Sequence, residues 1–258
     1  MERPWIVVPC YNEAHRLDRA AFEAKLASDD CSATLLFVDD GSTDGTAALL
    51  AAIAATNPAR SSVIVAAENR GKAEAVRTGM RAALEAGARC VGFWDADLAT
   101  PLGHVAEFGA LLDRQPEIDV VMGTRVRMLG RHIDRSGSRH LIGRVYATLA
   151  SVALGLPVYD TQCGAKLFRR SAALERALER PFRSRWSFDV ELLQRLQRGW
   201  GDRGNDRILE VPLPAWRDVG RSNVSLTSGA AAFATLFVLL LRNNRSLPLQ
   251  RSERQATP

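Results

Sequence analysis

A doubly wound α/β sheet, mostly parallel and with helices on both faces, is the fold this sequence predicts. Two observations carry the prediction. Five short apolar runs occur in the first half: Trp5-Ile6-Val7-Val8, Leu35-Leu36-Phe37-Val38, Ser62-Val63-Ile64-Val65, Val91-Gly92-Phe93-Trp94 and Asp119-Val120-Val121-Met122. Continuous runs of this length fit strands buried on both faces. Helical spacing fills the gaps between them, and a strand-helix-strand-helix order is the pattern of this layer architecture.

Each element has a local reason. The first run ends at Pro9, the second at Asp39-Asp40-Gly41 and the fourth at Asp95. Thr43 to Thr56 is rich in Ala and Leu and follows a Gly-Ser-Thr-Asp start signal. Ala73 to Ala88 repeats apolar residues at helical spacing and stops near Gly87. Pro101 to Arg114 opens on a proline, whose missing N–H costs nothing in a first turn. The second half is less regular. Arg125 to Arg144 is a basic segment containing Gly and Ser, and Leu141 to Leu154 reads as a helix. Lys166 to Arg169 reads as a short strand, Ser171–Glu179 and Ser187–Gly199 as helices, and Ile208–Val211 as a last strand before Pro212. Residues 227–245 hold an apolar helix, and 246–258 read as a flexible tail.

Composition narrows the class. The chain has 258 residues, 47% hydrophobic and 24% charged, which excludes disordered, collagenous and coiled-coil readings. No apolar run reaches the ~20 residues that span a bilayer, and the first fifteen residues do not read as a signal segment. Thirty-four basic residues against 29 acidic give a net charge of +5, nearly all of it arginine, since only Lys25, Lys72 and Lys166 are lysines. Arginine favours phosphate and carboxylate through its planar fork. Cys10, Cys31, Cys90 and Cys163 are scattered without a CxxC pair, which argues against a zinc site or disulfide framework and for a reducing cytoplasm.

Polar clusters stand at the carboxyl ends of the expected strands, where ligands of open α/β sheets bind. Asp95-Ala96-Asp97 places two hard carboxylates at a strand end, suited to Mg²⁺ or Mn²⁺. Pro9-Cys10-Tyr11-Asn12-Glu13 offers a ring to stack on a base and a carboxylate for a ribose or base. In Asp39-Asp40-Gly41-Ser42-Thr43-Asp44-Gly45-Thr46, helix capping accounts for part of the motif, but a doubled aspartate exceeds what a cap needs. Asn69-Arg70-Gly71-Lys72-Ala73 lacks the GxxxxGK[ST] spacing, so a P-loop is rejected; its Gly-Lys can still meet phosphate at a helix start.

In this order and spacing the four motifs resemble the family-2 glycosyltransferases, which have the GT-A nucleotide-diphospho-sugar transferase fold. Gly123-Thr124-Arg125, Asp160-Thr161-Gln162-Cys163-Gly164-Ala165-Lys166-Leu167-Phe168, Trp186-Ser187-Phe188-Asp189-Val190-Glu191 and Glu210-Val211-Pro212 extend the resemblance to the dolichyl-phosphate β-glucosyltransferase branch. The dolichyl-phosphate mannose synthases are similar too. The resemblance covers roughly residues 4–226, within an expected domain of 1–226: a nucleotide-sugar half, 1–124, and an acceptor half, 125–226. It departs where Gly-Lys-Gly-Gly of relatives reads Gly71-Lys72-Ala73-Glu74, and where relatives carry a membrane segment before the first strand.

The resemblance implies roles. Pro9, Tyr11, Glu13, Asp39 and Asp40 line the nucleoside pocket with Gly71 and Lys72 beside it, and Asp95, Ala96 and Asp97 serve the metal and diphosphate. Arg125, Arg139 and Lys166 are candidates for acceptor or leaving phosphates, Asp160 sits near the transferred sugar, and Arg217, Arg221 and Ser222 close over the diphosphate. The implied donor is a UDP-sugar in preference to a GDP-sugar, with glucose transferred by inversion to a polyprenyl phosphate at the cytoplasmic membrane face; a soluble acceptor is the alternative. A phosphate acceptor is already an anion, whereas a hydroxyl needs a base, for which Asp160 is the first candidate and Asp189 the second.

Two other classes fit less well. Nucleotidyl transfer predicts a Gly-rich activating loop near the first strand, where Pro-Cys-Tyr-Asn-Glu stands instead. A non-catalytic nucleic-acid or membrane module predicts clustered arginines with interleaved aromatics, and these are dispersed. The apolar run Ala230–Leu241 spans only ~18 Å as a helix; it fits either an interfacial helix at a membrane or one covered by the sheet or by a second copy in a homodimer.

Overall fold

The computed structural model of the chain describes residues 3–28, 32–134, 137–185 and 187–217, with the backbone alone at 134, 137–142, 202, 203 and 205. The first half runs β1 (Trp5–Cys10), α1 (Arg19–Ala27), β2 (Thr34–Asp39), α2 (Thr46–Ala55), β3 (Ser61–Val65), α3 (Lys72–Glu85), β4 (Cys90–Trp94), α4 (His104–Arg114) and β5 (Val120–Thr124). The second half runs β6 (His132–Asp134), α5 (Gly137–Leu154), β7 (Ala165–Arg169), α6 (Ala172–Glu179), α7 (Phe188–Trp200), a 3-10 helix (Gly201–Arg207), β8 (Ile208–Pro212) and β9 (Ala215–Arg217).

Seven strands form one sheet in the order β3-β2-β1-β4-β7-β5-β8. β7 runs antiparallel to both its neighbours, and every other pairing in the sheet is parallel. The pleat explains the apolar runs. Ile6 and Val8 join Phe22, Phe37, Leu50 and Phe108 on one face, while Val7 joins Val76, Met80, Phe93 and Phe188 on the other. Successive side chains of a strand point to opposite faces, so a strand covered on both sides must be apolar throughout.

The structure corrects several expectations. β3 is an edge strand rather than a doubly buried one, and Val65 is 59% exposed. Pro101 does not open the α4 helix; it stands in the turn before it, where its carbonyl accepts from His104 N–H at 3.2 Å. The irregular segment before Arg144 contains β6, which pairs in parallel with β9 in a small second sheet, and α5 starts at Gly137. α1 has no counterpart among the expected helices: only Phe22 and Leu26 of its nine residues are buried, too few for an apolar period to stand out. Among the described residues no helix is long and apolar enough to cross a membrane. The apolar run at 227–245 and the tail at 246–258 lie outside the described residues.

Candidate active site

Strand order turns at β1, which has β2 on one side and β4 on the other, and the polar clusters converge at the carboxyl edge beside this switch point. The β1 and β2 loops are stitched together. Asn12, at φ 52°, accepts from Thr43 N–H at 2.9 Å through its side-chain oxygen, and its own N–H donates to the Ser42 hydroxyl at 2.9 Å. Glu13 N–H donates to the Thr46 hydroxyl at 2.8 Å, while the Glu13 carboxylate pairs with Arg16. Tyr11 is 40% exposed at the rim, and Pro9 is half-buried in β1.

The doubled aspartate divides its work. Both oxygens of Asp40 hold the next loop: Oδ1 accepts from Arg70 N–H at 2.9 Å and Oδ2 from Gly71 N–H at 2.7 Å. Asp40 thereby shapes the pocket through the loop it holds. Asp39 accepts from Ser42 through Oδ1, but its Oδ2 is buried without a hydrogen-bond partner. A buried carboxylate oxygen left unpaired is costly unless something meets it. Gly41, at φ +69°, lies so close to the Glu68–Asn69 backbone that a side chain there would collide with it.

Gly71, at φ +93°, caps α3 and presents Lys72, whose ammonium pairs with the Asp95 carboxylate. Burial pushes the Asp95 carboxyl up, but Lys72, with Lys166 and Arg125, outweighs it and holds the carboxyl below the usual range. Asp97 is exposed as a residue but accepts from Ala99 N–H at 3.0 Å, and partial desolvation of its carboxyl together with the Asp95 charge raises its pKa. Buried Ala96 anchors the turn, and Leu98 follows at φ 51°, a strained backbone conformation for a leucine. Gly164 underlies Asp95: its carbonyl accepts from Asp95 N–H at 3.0 Å, and a side chain there would fall inside the Asp95 carboxylate.

Two further ion pairs stand beyond β4. Arg125 grips Asp160 with Nε and Nη2 at 2.6 and 2.9 Å, and its guanidinium lies 5.2 Å from the Trp216 ring centroid. Burial opposes ionisation of Asp160, yet Arg125 prevails and lowers its pKa to about 2. Both oxygens of Asp160 are thus engaged by Arg125. Glu210 of β8 fixes the Asp160 loop by accepting from Tyr159 and Asp160 N–H at 2.7 and 2.9 Å. Lys166 is 1% exposed and donates to Asp189 at 2.7 Å and to the Cys163 carbonyl. So buried and so committed, Lys166 neutralises Asp189 and does not present itself to a phosphate. Burial raises the Asp189 carboxyl despite Lys166 and Lys72, and burial raises the Cys163 thiol to about 11, too high for a thiolate nucleophile at neutral pH.

Arg217 is exposed on β9; the Arg139 side chain, Arg221 and Ser222 lie outside the described residues. Glu210, Gly164 and the seat of Gly71 against Arg185 have no role that the sequence alone assigns; a carboxylate in the middle of an otherwise apolar strand is the signal that marks Glu210.

Among the described residues no group of three or more His, Cys, Asp or Glu is placed to hold a metal ion. Asp95 and Asp97 supply two hard oxygen donors at an open edge. That set fits Mg²⁺ or Mn²⁺ completed by phosphate oxygens and water, the usual way a protein holds such an ion with one or two carboxylates.

A model of the family described as Glycosyl transferase family 2 matches residues 5–176. The dolichyl-phosphate beta-glucosyltransferase of Mus musculus is 34% identical over 201 residues, covering 73% of this chain and 61% of that protein. Dolichyl-phosphate beta-glucosyltransferase ALG5C of Trichomonas vaginalis is 29% identical over 232 residues, covering 86% of this chain and 66% of that protein. The chain thus spans less than two thirds of the length of these curated relatives. Glucosyl-3-phosphoglycerate synthase of Mycobacterium tuberculosis, solved with Mn²⁺, UDP-glucose and phosphoglyceric acid, shares the fold at a TM-score of 0.65 and 21% identity, over 96% of this chain and 82% of that one. The fold is that of the GT-A-like glycosyltransferases.

Proposed function

The chain belongs to glycosyl transferase family 2, and on that premise we propose that it moves glucose from UDP-glucose to a polyprenyl phosphate of the dolichyl class, with inversion, at the cytoplasmic face of a membrane. The observation that carries the acceptor class is the pairing of the site carboxylates. Asp95 faces Lys72, Asp160 faces Arg125 and Asp189 faces Lys166. A hydroxyl acceptor needs a free base; of the other carboxylates near these three, Glu210 gives both oxygens to the Tyr159 and Asp160 N–H groups, and Asp97 is the one assigned to the cation. A phosphate acceptor is already anionic and needs none. The names of the curated relatives support the same acceptor and the same sugar.

The unpaired Asp39 Oδ2 supplies an acceptor for a base or ribose N–H or O–H, which would satisfy the orphaned oxygen. The exposed ring of Tyr11 stands where a base can stack. A divalent cation held by Asp95 and Asp97 would neutralise charge on the leaving diphosphate. The acceptor oxygen attacks the anomeric carbon from the face opposite the diphosphate, forming the new C–O bond as the old one breaks, and the electron pair leaves with the nucleoside diphosphate. Lys72 sits against Asp95 and balances the charge that gathers there.

Transfer from a panel of UDP- and GDP-sugars, with Mn²⁺ or Mg²⁺ and with or without a polyprenyl phosphate, tests this reading. The expected result is turnover of UDP-glucose that depends on the metal and the lipid phosphate. Asp97→Ala is expected to lower it roughly 100-fold or more, with folding stability reduced by only about 1 kcal/mol for the lost Ala99 N–H bond. Donor turnover without response to the lipid would move the acceptor to a soluble molecule, and no donor turnover at all would overturn the enzyme reading.

A further inference from the structure

Three of the cations expected near phosphate are already engaged: Lys72 by Asp95, Lys166 by Asp189 and Arg125 by Asp160. Arg185, in the linker between α6 and α7, differs. It is exposed and makes no hydrogen bond or ion pair to any described residue. Its stem lies against the donor loop from across the site. Cγ and Cδ of Arg185 are 3.3 Å, and Nε 3.4 Å, from where a Gly71 side chain would begin. Any Cβ at Gly71 would press on that stem, so this glycine both allows φ +93° and gives the arginine its seat. The seat is the opening turn of α3, one residue from Lys72 and its contact with Asp95.

We propose that Arg185 is a phosphate-binding residue of the donor site, closing over the diphosphate of the nucleotide sugar from the α6–α7 side. The assignment rests on the donor reading above and adds a residue from the acceptor half to it. Arginine suits this role because its guanidinium stays charged, is weakly hydrated, and matches two phosphate oxygens at once. The aliphatic stem held on Gly71 limits the rotamer freedom lost when the head group engages. A purely structural arginine would need only its stem, and a charge kept for solubility would not lie along a glycine at a helix start.

The test separates stem from charge. Arg185→Met keeps an unbranched stem without the charge, and Arg185→Lys keeps charge without the fork. Calorimetric binding of uridine, UMP and UDP, with guanosine, GMP and GDP in parallel, is measured on the full chain with Mn²⁺. The wild type is expected to bind the nucleoside diphosphate of its own donor. Arg185→Met is expected to bind that diphosphate roughly 10-fold more weakly while keeping wild-type affinity for the nucleoside. Arg185→Lys should fall between, and the KM for the nucleotide sugar should rise with the acceptor KM unchanged. Equal diphosphate affinity in Arg185→Met and wild type overturns the proposal. So does a parallel loss for nucleoside and diphosphate, which marks a packing role, or a change confined to the acceptor KM. A wild type that binds neither nucleoside diphosphate overturns the donor reading itself, and this assignment with it, before any variant is compared.

Discussion

Aspartates at the end of β2 and aspartates beyond β4 solve the burial of charge in opposite ways. At β2, Asp40 spends both oxygens on backbone N–H groups of the Arg70–Gly71 loop, and Asp39 keeps one buried oxygen unpaired. Beyond β4, Asp160 and Asp189 are each neutralised by a cation, Arg125 and Lys166. The first arrangement fixes loops and leaves an acceptor for a ligand. The second removes net charge from a buried wall. One residue type thus leaves an unpaired acceptor at the end of β2 and builds a rigid, charge-balanced cluster where the loop before β7 meets the first turn of α7.

The largest expected effect breaks the cation-paired side. Lys166→Met strands Asp189 in a buried place, and losing one partner of a buried pair costs about 3–5 kcal/mol. Burial already raises the Asp189 carboxyl. Without Lys166 it rises further, so the folded state takes up the proton more readily than the unfolded chain. Stability then falls as pH rises through that range, and the deficit of the variant, read from urea midpoints, should shrink toward pH 5. If the deficit is the same at pH 5 and 8, Asp189 is not the group left uncompensated.

A smaller effect sharpens the same side with the opposite pH dependence. Asp160 is held at about 2, below its ordinary 3.8, by Arg125. Its contribution is complete above the ordinary value and is lost as pH falls through about 2. Asp160→Asn should cost about 2 kcal/mol at pH 7. Between pH 4 and 2 the wild type should lose that margin while the variant shows no such slope. A variant that tracks the wild type across this range would show that the ion pair is not what ties folding to acid.

The smallest effect belongs to the loop-fixing side. Asp40→Asn replaces one carboxylate oxygen by an amide that cannot accept from the loop, at about 1 kcal/mol. Its consequence should be clearer in ligand binding than in melting: UDP affinity falls several-fold because the Arg70–Gly71 loop loses its brace. Unchanged UDP affinity would mean the loop is held by other contacts.

Strand ends are legible in the sequence because both signals there are local. A buried apolar run stops and polar residues follow, and this locates Asp39, Asp40, Asp95 and Asp97 together with the first-half sheet. Partnerships are not legible. Arg125 and Asp160 are 35 residues apart, Lys72 and Asp95 are 23 apart, and neither spacing has a period that points to contact. A residue type suggests a chemistry and its partner sets how freely that chemistry is offered, and the partners of Lys166 and Asp160 come from the fold alone. β6 and β9 escape a sequence reading because three-residue strands carry too little pattern. α1 escapes it because an amphipathic helix with two buried positions differs little from a polar loop.

β7 enters the sheet against the direction of its neighbours, so its first residues lie at the edge where β4 ends. The segment leading into it is tied down along its length, by Glu210 at Tyr159 and Asp160, by Arg125 at Asp160 and by Lys166 at the Cys163 carbonyl. Gly164 closes it onto the end of β4, because its carbonyl holds Asp95 and its missing side chain makes room for the carboxylate. A shift of that segment is therefore transmitted to the Asp95 carboxylate through the single residue whose lack of a side chain makes room for it.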